Sequence, residues 1–196
     1  MGELIAISIG TIFISNFVLS QFLGLCPFIG VSKKLDSVLG MGMAVIFVMT
    51  IASMVTWLIY TFILVPLGLE YLRIVSFILI IASLVQLVEI IMKKNLPVLY
   101  DALGIYLPLI TTNCAVMGAA ELNIMNGYNF IESTLHGFMG GVSFLLALFL
   151  MATIRERLDM ANVPKAFKGV PIAFISAGLM ALAFLAADKS ILELFK

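Results

Sequence analysis

SVLGMGMAVIFVMTIASMVTWLIYTFILVPLGL, residues 37–69, runs for 33 positions without a charged side chain. A helix crosses the hydrocarbon core of a bilayer in about 20 residues, so this stretch has length to spare. Five others are built alike, at 4–32, 74–88, 102–120, 133–154 and 169–187. The stretch 74–88 is short, at 15 residues, but a helix there can continue past Glu89 to Met92. The whole chain repeats the theme. Of 196 residues, 63% are hydrophobic and 11% charged, where a soluble domain has roughly 45–50% and about 25%. A core of this size cannot hide that much apolar surface, so most of the outside must face lipid. The expected architecture is an all-α integral membrane protein with six transmembrane helices in a single domain over 1–196. The first stretch lacks a basic start and is too long for a cleaved leader.

Eleven basic and eleven acidic residues cancel, which rules out the net basic face of a nucleic-acid binder. His136 is the only histidine, which excludes a histidine-rich metal site and leaves it an interfacial or packing role. With six crossings, Lys33, Lys34, Lys93, Lys94, Arg155, Arg157, Lys165 and Lys168 fall on one side, and Arg73, Lys189 and Lys196 on the other. That bias marks the Lys/Arg-rich loops as cytoplasmic and both termini as outside. Glu89 stands four residues before Lys93. An ion pair at a helix end is the simple reading; a carboxylate on an ion pathway is the sharper one. Gly137, Gly140 and Gly141 follow His136 and suit a close helix-packing face.

Six helices divide three and three near Asn95–Leu96, giving repeat one at about 1–95 and repeat two at about 96–196. Each half holds a Cys-x-x-x-Gly: Cys26 to Gly30 and Cys114 to Gly118, the cysteines 88 positions apart. Each falls late in the first helix of its half. Three crossings per half make the halves inverted, and equivalent residues of inverted halves meet only near the midplane. Helix breakers stand close by: Pro27 and Gly30 in helix 1, and Pro108, Asn113 and Gly118 in helix 4. Breaks at matching places mark a site, because freed backbone at membrane depth is tolerated only inside protein or beside a cavity. Asn16, Ser20, Gln21, Thr111, Thr112 and Asn113 are the polar side chains available there, chiefly to satisfy that backbone.

Two cysteines allow several chemistries. As buried thiols they would act as small hydrophobes. A disulfide has no oxidising compartment at the midplane, and neither cysteine sits in a Cys-x-x-Cys or a wet loop, as catalytic dithiols do. Zinc wants four sulfur or nitrogen ligands, which the chain lacks. An iron–sulfur cluster wants four thiolates; this chain offers two and would need a partner for the rest.

Three segments carry a resemblance. They are Leu23-Gly24-Leu25-Cys26-Pro27-Phe28-Ile29-Gly30-Val31-Ser32-Lys33-Lys34, then Glu70-Tyr71-Leu72-Arg73 with Leu84-Val85-Gln86-Leu87-Val88-Glu89, then Ala102 to Val116, which contains Leu109-Ile110-Thr111-Thr112-Asn113-Cys114. Along nearly its whole length the chain resembles the RnfA/NqrE family of membrane subunits. Cys-Pro-Phe-Ile-Gly and Glu-Tyr-Leu-Arg look more like the Rnf side than the sodium-pumping NADH:quinone oxidoreductase side. The resemblance implies a subunit of a bacterial inner-membrane complex that passes electrons between ferredoxin and NAD, coupled to Na+ or H+ transport. Such a chain is part of a translocase and not catalytic alone. It implies a homologous partner of opposite orientation, RnfE, with a [2Fe–2S] cluster shared between them, and Cys26 and Cys114 match its ligand positions as iron ligands. It also implies further subunits RnfB, RnfC, RnfD and RnfG, which carry flavins and other clusters. Two other functions compete: a secondary transporter with a midplane site, and a scaffold that anchors soluble redox subunits.

Overall fold

The computed structural model describes residues 10–11, 16–32, 35–95, 107–164 and 167–194, with no strand among them. In chain order the helices are α1 (Leu25–Val31), α2 (Leu35–Ile59), α3 (Arg73–Asn95), α4 (Leu107–Thr111), α5 (Cys114–Met125), α6 (Phe130–Met160) and α7 (Val170–Leu194). Three helical rods are long and apolar enough to cross a membrane, Ser37–Leu67, Glu70–Ile91 and Phe130–Met160; Val170–Ala186 is a shorter apolar helix. The extension of the 74–88 stretch past Glu89 is present in α3, where Glu89 is half-buried near the C-terminal end. Lys33, Lys34, Lys165 and Lys196 lie outside the described residues, as does the cut at Asn95–Leu96 on its Leu96 side.

Local chemistry sets the ends of these rods. Pro66 has no N–H for the Phe62 carbonyl, so the ladder ahead of it widens. Tyr60–Leu64 forms a π-helical turn in which the Val65 N–H reaches the Tyr60 carbonyl. Gly68, left-handed at φ 66°, then stops the rod. The sequence Asn129-Phe130-Ile131-Glu132 makes a capping box that starts α6, with Glu132 Oε2 accepting from the Asn129 N–H at 2.9 Å.

The most extensive helix pair is α2 against α6, and the glycines of α6 explain it. A Cβ on Gly141 would stand 2.6 Å from Ile46 Cα, and one on Gly140 would stand 2.6 Å from the Phe17 ring. Gly137 lies against Ser53 and the Met49 carbonyl. Without side chains at these points the two backbones close up, as small residues permit in membranes. Phe17, Phe28, Met41, Met49, Phe144, Leu148 and Met151 fill the core between the elements. His136 is buried beside them, with Nδ1 2.6 Å from Asn123 Oδ1 and its ring edge-on to Phe17 and Tyr128. It therefore packs α5 against α6. Arg73, at the start of α3, pairs with Glu121 of α5. The outer faces of α3 and α7 stay apolar and exposed, as at Leu79, Ile90, Leu179 and Leu182. In a membrane that surface meets lipid or another protein.

Candidate functional site

Non-helical segments ahead of α1 and ahead of α5 interrupt the chain, and an asparagine builds each. Asn16 is fully buried. Its Oδ1 accepts from the Val18 and Leu19 N–H groups at 3.0 and 3.2 Å, and its Nδ2 donates to the Ser143 carbonyl of α6 at 3.4 Å. The chain then turns through Phe22 and Gly24, both left-handed at φ 57° and 81°, before α1 begins. In the second interruption Asn113 leaves the helical region at ψ 111° and accepts from the Ala115 N–H at 3.0 Å, capping α5. Both amides supply hydrogen bonds to backbone that helix geometry has released.

The breakers differ from those the sequence suggests. Of Pro27, Gly30, Asn113 and Gly118, only Asn113 stands at a break among the described residues. Pro27 is the third residue of α1, whose first turn follows Gly24; in a first turn no carbonyl waits for the missing N–H, so proline starts a helix there instead of ending one. The chain ahead of Pro108 lies outside the described residues. Gly30 and Gly118 lie inside α1 and α5, where Gly118 makes room for Leu23. The cysteines accordingly do not end a first helix. Each opens the short helix after the break, Cys26 as second residue of α1 and Cys114 as first residue of α5.

The two interruptions meet. The Gly24 N–H donates to Cys114 Sγ at 2.9 Å. A Cβ on Gly24 would fall 3.1 Å from Asn113 Oδ1, 3.1 Å from Ala115 Cβ and 2.7 Å from the Phe144 ring. Only glycine accepts both the left-handed backbone and that approach. Cys26 follows Gly24 by two residues, so the start of α1 that carries it adjoins the start of α5 that carries Cys114. Both cysteines are free and exposed, while Pro27, Asn113 and Ala115 beside them are buried. The reading of them as buried small hydrophobes does not hold: their neighbours fill the interior and the sulfurs stand at the surface. Of the polar residues expected near the breaks, Asn16 and Asn113 serve backbone, Ser20 and Thr111 are half-buried, and Gln21 and Thr112 are exposed.

Arg155 supports this site, a role the sequence hides. Its place after an uncharged run suggests a loop charge, yet it lies within α6 and is nine-tenths buried. Its Nη1 donates to the Ile29 carbonyl at 2.7 Å and to Ser32 Oγ at 2.9 Å. A cation at the C-terminal end of α1 meets the negative end of its dipole. Thus α1 is held at its start by the Gly24–Cys114 contact and at its end by Arg155. Gly24 is equally unmarked in the sequence; the available signals are a glycine two residues before a cysteine and an arginine directly after 22 uncharged residues.

Chemically, the chain offers two surface thiols, one of which already accepts from a backbone donor. The donor, and the positive end of α5 behind Cys114, suit a sulfur that carries negative charge, as a metal-bound thiolate does. Asn113 Nδ2, next to Cys114 in sequence, is buried with no hydrogen-bond partner. Among the described residues no three Cys, His, Asp or Glu gather in a metal-binding group.

The Rnf-Nqr subunit family of membrane proteins matches residues 4–189, both interruptions included. The chain belongs to this family. Its three long apolar helices accord with a membrane protein. The A-type subunit of the ion-translocating oxidoreductase complex of Serratia proteamaculans is 58% identical over 185 residues, covering 94% of this chain and 96% of that one. Its counterpart in Syntrophotalea carbinolica is 57% identical with the same coverage. The A-type subunit of the Na(+)-translocating ferredoxin:NAD(+) oxidoreductase complex of Acetobacterium woodii is 59% identical over 182 residues, 93% of this chain and 95% of that one. These relatives are named as parts of multi-subunit complexes.

Proposed function

We propose that this chain is the RnfA-type member of an ion-translocating ferredoxin:NAD+ oxidoreductase, where it carries electrons across the bacterial inner membrane. In this reading Cys26 and Cys114 hold one side of a [2Fe–2S] cluster, and two cysteines of a homologous protein of the RnfE type hold the other. The observation that carries it is the Gly24 N–H bond to Cys114 Sγ, which joins the start of the helix bearing Cys26 to Cys114. A [2Fe–2S] cluster takes four thiolates. The chain has two cysteines in all, so the fit is to half a site, and the exposure of both sulfurs leaves them open to a second chain. Bound there, the cluster supplies a one-electron carrier inside the bilayer.

The chain's own residues do the rest. Gly24 donates to the Cys114 sulfur, and N–H bonds of this kind raise a cluster's potential. Asn113 offers a spare amide donor close by. Arg155 fixes the far end of α1 and with it the approach of Cys26. The proposed topology is six crossings in two inverted halves, with both termini outside and the Lys/Arg-rich loops cytoplasmic. RnfB, RnfC, RnfD and RnfG would be the neighbours that pass electrons to and from it, with Na+ or H+ as the coupling ion.

Electron paramagnetic resonance on this chain co-purified with its membrane partner tests the reading. Cys26→Ser and Cys114→Ser are each expected to remove one [2Fe–2S] signal while other clusters remain. An unchanged spectrum in both variants would remove the electron-carrier role. It would leave the scaffold and transporter readings standing.

A further inference from the structure

Where α6 ends and α7 begins, the chain encloses a cavity of about 180 Å³. Its polar lining is Arg155, Asp159 and Lys168, and its apolar lining includes Leu158, Val163 and Ile172. We propose that this cavity binds the phosphodiester headgroup of a membrane glycerophospholipid. Arg155 and Lys168 take the phosphate, and Asp159 accepts from a hydroxyl or ammonium of the headgroup.

Three observations converge on a lipid. The first is charge. Two cations face one carboxylate, which leaves a positive excess. The guanidinium is nine-tenths buried, and its Nη1 is committed to two neutral oxygens, Ile29 O and Ser32 Oγ. A buried cation is costly unless it is paired, this lining holds one carboxylate for two cations, and the planar guanidinium suits phosphate oxygens. The second is depth. The uncharged run 133–154 ends at Arg155, and Glu156 and Arg157 follow. The cavity therefore lies where the apolar span gives way to charge, the level of the headgroups. Basic pockets between transmembrane helices at that level bind anionic headgroups. The third is the mixed wall. Free phosphate gains nothing from Leu158, Val163 and Ile172, whereas a lipid can run its glycerol and upper acyl carbons along them. Because Arg155 also holds the end of α1, a lipid seated here steadies the helix that bears Cys26.

Native mass spectrometry of the full-length chain in micelles containing dioleoylphosphatidylglycerol tests this. One retained lipid is expected on the wild-type chain. Lys168 is exposed, so Lys168→Glu should fold normally and lower retention on the order of tenfold. Lys94→Glu, at an exposed position in the last turn of α3, should leave retention unchanged. Inorganic phosphate in excess should not displace the lipid. Retention equal in wild type and Lys168→Glu would overturn the proposal, as would no retained lipid on wild type. Displacement by inorganic phosphate would overturn it too, since the cavity would then be a free-anion site.

Discussion

Cys114→Ala in the assembled complex is expected to reduce ferredoxin-driven NAD+ reduction by more than about 100-fold, beyond the usual cost of losing a mere supporting group. The chain should still be present in the membrane at normal abundance. The two halves of this expectation come from the same geometry. Cys114 is exposed, so removing its sulfur opens no cavity in the core. The one bond lost is that from the Gly24 N–H, and leaving that donor unpaired costs about 1–3 kcal/mol against a total stability of roughly 5–15 kcal/mol. Folding is spared, while the proposed centre loses a quarter of its ligands. A scaffold would give the opposite result, with full electron transfer through a chain lacking the thiol. Electron-transfer rate and immunoblotted abundance, measured on the same vesicles, distinguish the two.

Gly141→Leu should prevent recovery of the folded chain, and the reason lies at Ile46. A Cβ on Gly141 would already stand 2.6 Å from Ile46 Cα, which is backbone and cannot rotate away. The only relief is to part α2 from α6, the largest helix contact among the described residues. Overpacking costs about 1–3 kcal/mol where side chains can shift, so the cost here lies at or beyond the top of that range. Gly141→Ala should fold with a lower melting temperature in detergent. Gly178→Leu is the control, because nothing lies within 4 Å of a Cβ at Gly178. Equal melting temperatures for wild type and Gly141→Leu would show that α2 and α6 do not close on this glycine.

Much of this architecture is legible in one dimension. Uncharged stretches mark the long rods because a bilayer admits few charges, and α2, α3 and α6 lie on three of those stretches. Gly137, Gly140 and Gly141 mark a close face because small residues on one helical stripe have few other uses. Asn113 marks a break because its side chain competes for backbone hydrogen bonds. Pro27 misleads, since the effect of proline depends on its position in the helix, and only the fold sets that position. Arg155 misleads for a different reason. Its charge looks like the edge of a loop, and only the fold shows the Ile29 carbonyl waiting for it. The exposure of the two thiols is illegible, because in a lipid-facing protein the sequence does not separate a buried face from one left for a partner. Glu121 likewise reads as a boundary charge, while the fold pairs it with Arg73.

The proposed function requires that Cys26 and Cys114 stand side by side on one open face. Because the chain has no other cysteine, a short bis-alkylating reagent such as dibromobimane tests it directly. Applied to iron-depleted membranes containing the full-length chain, it should consume both thiols in a single intramolecular bridge, seen as one added reagent in the intact mass. Cys26→Ser and Cys114→Ser should each carry the reagent at one end only. A wild-type chain bearing two separate reagent molecules, or one reacted and one inaccessible thiol, would contradict the account.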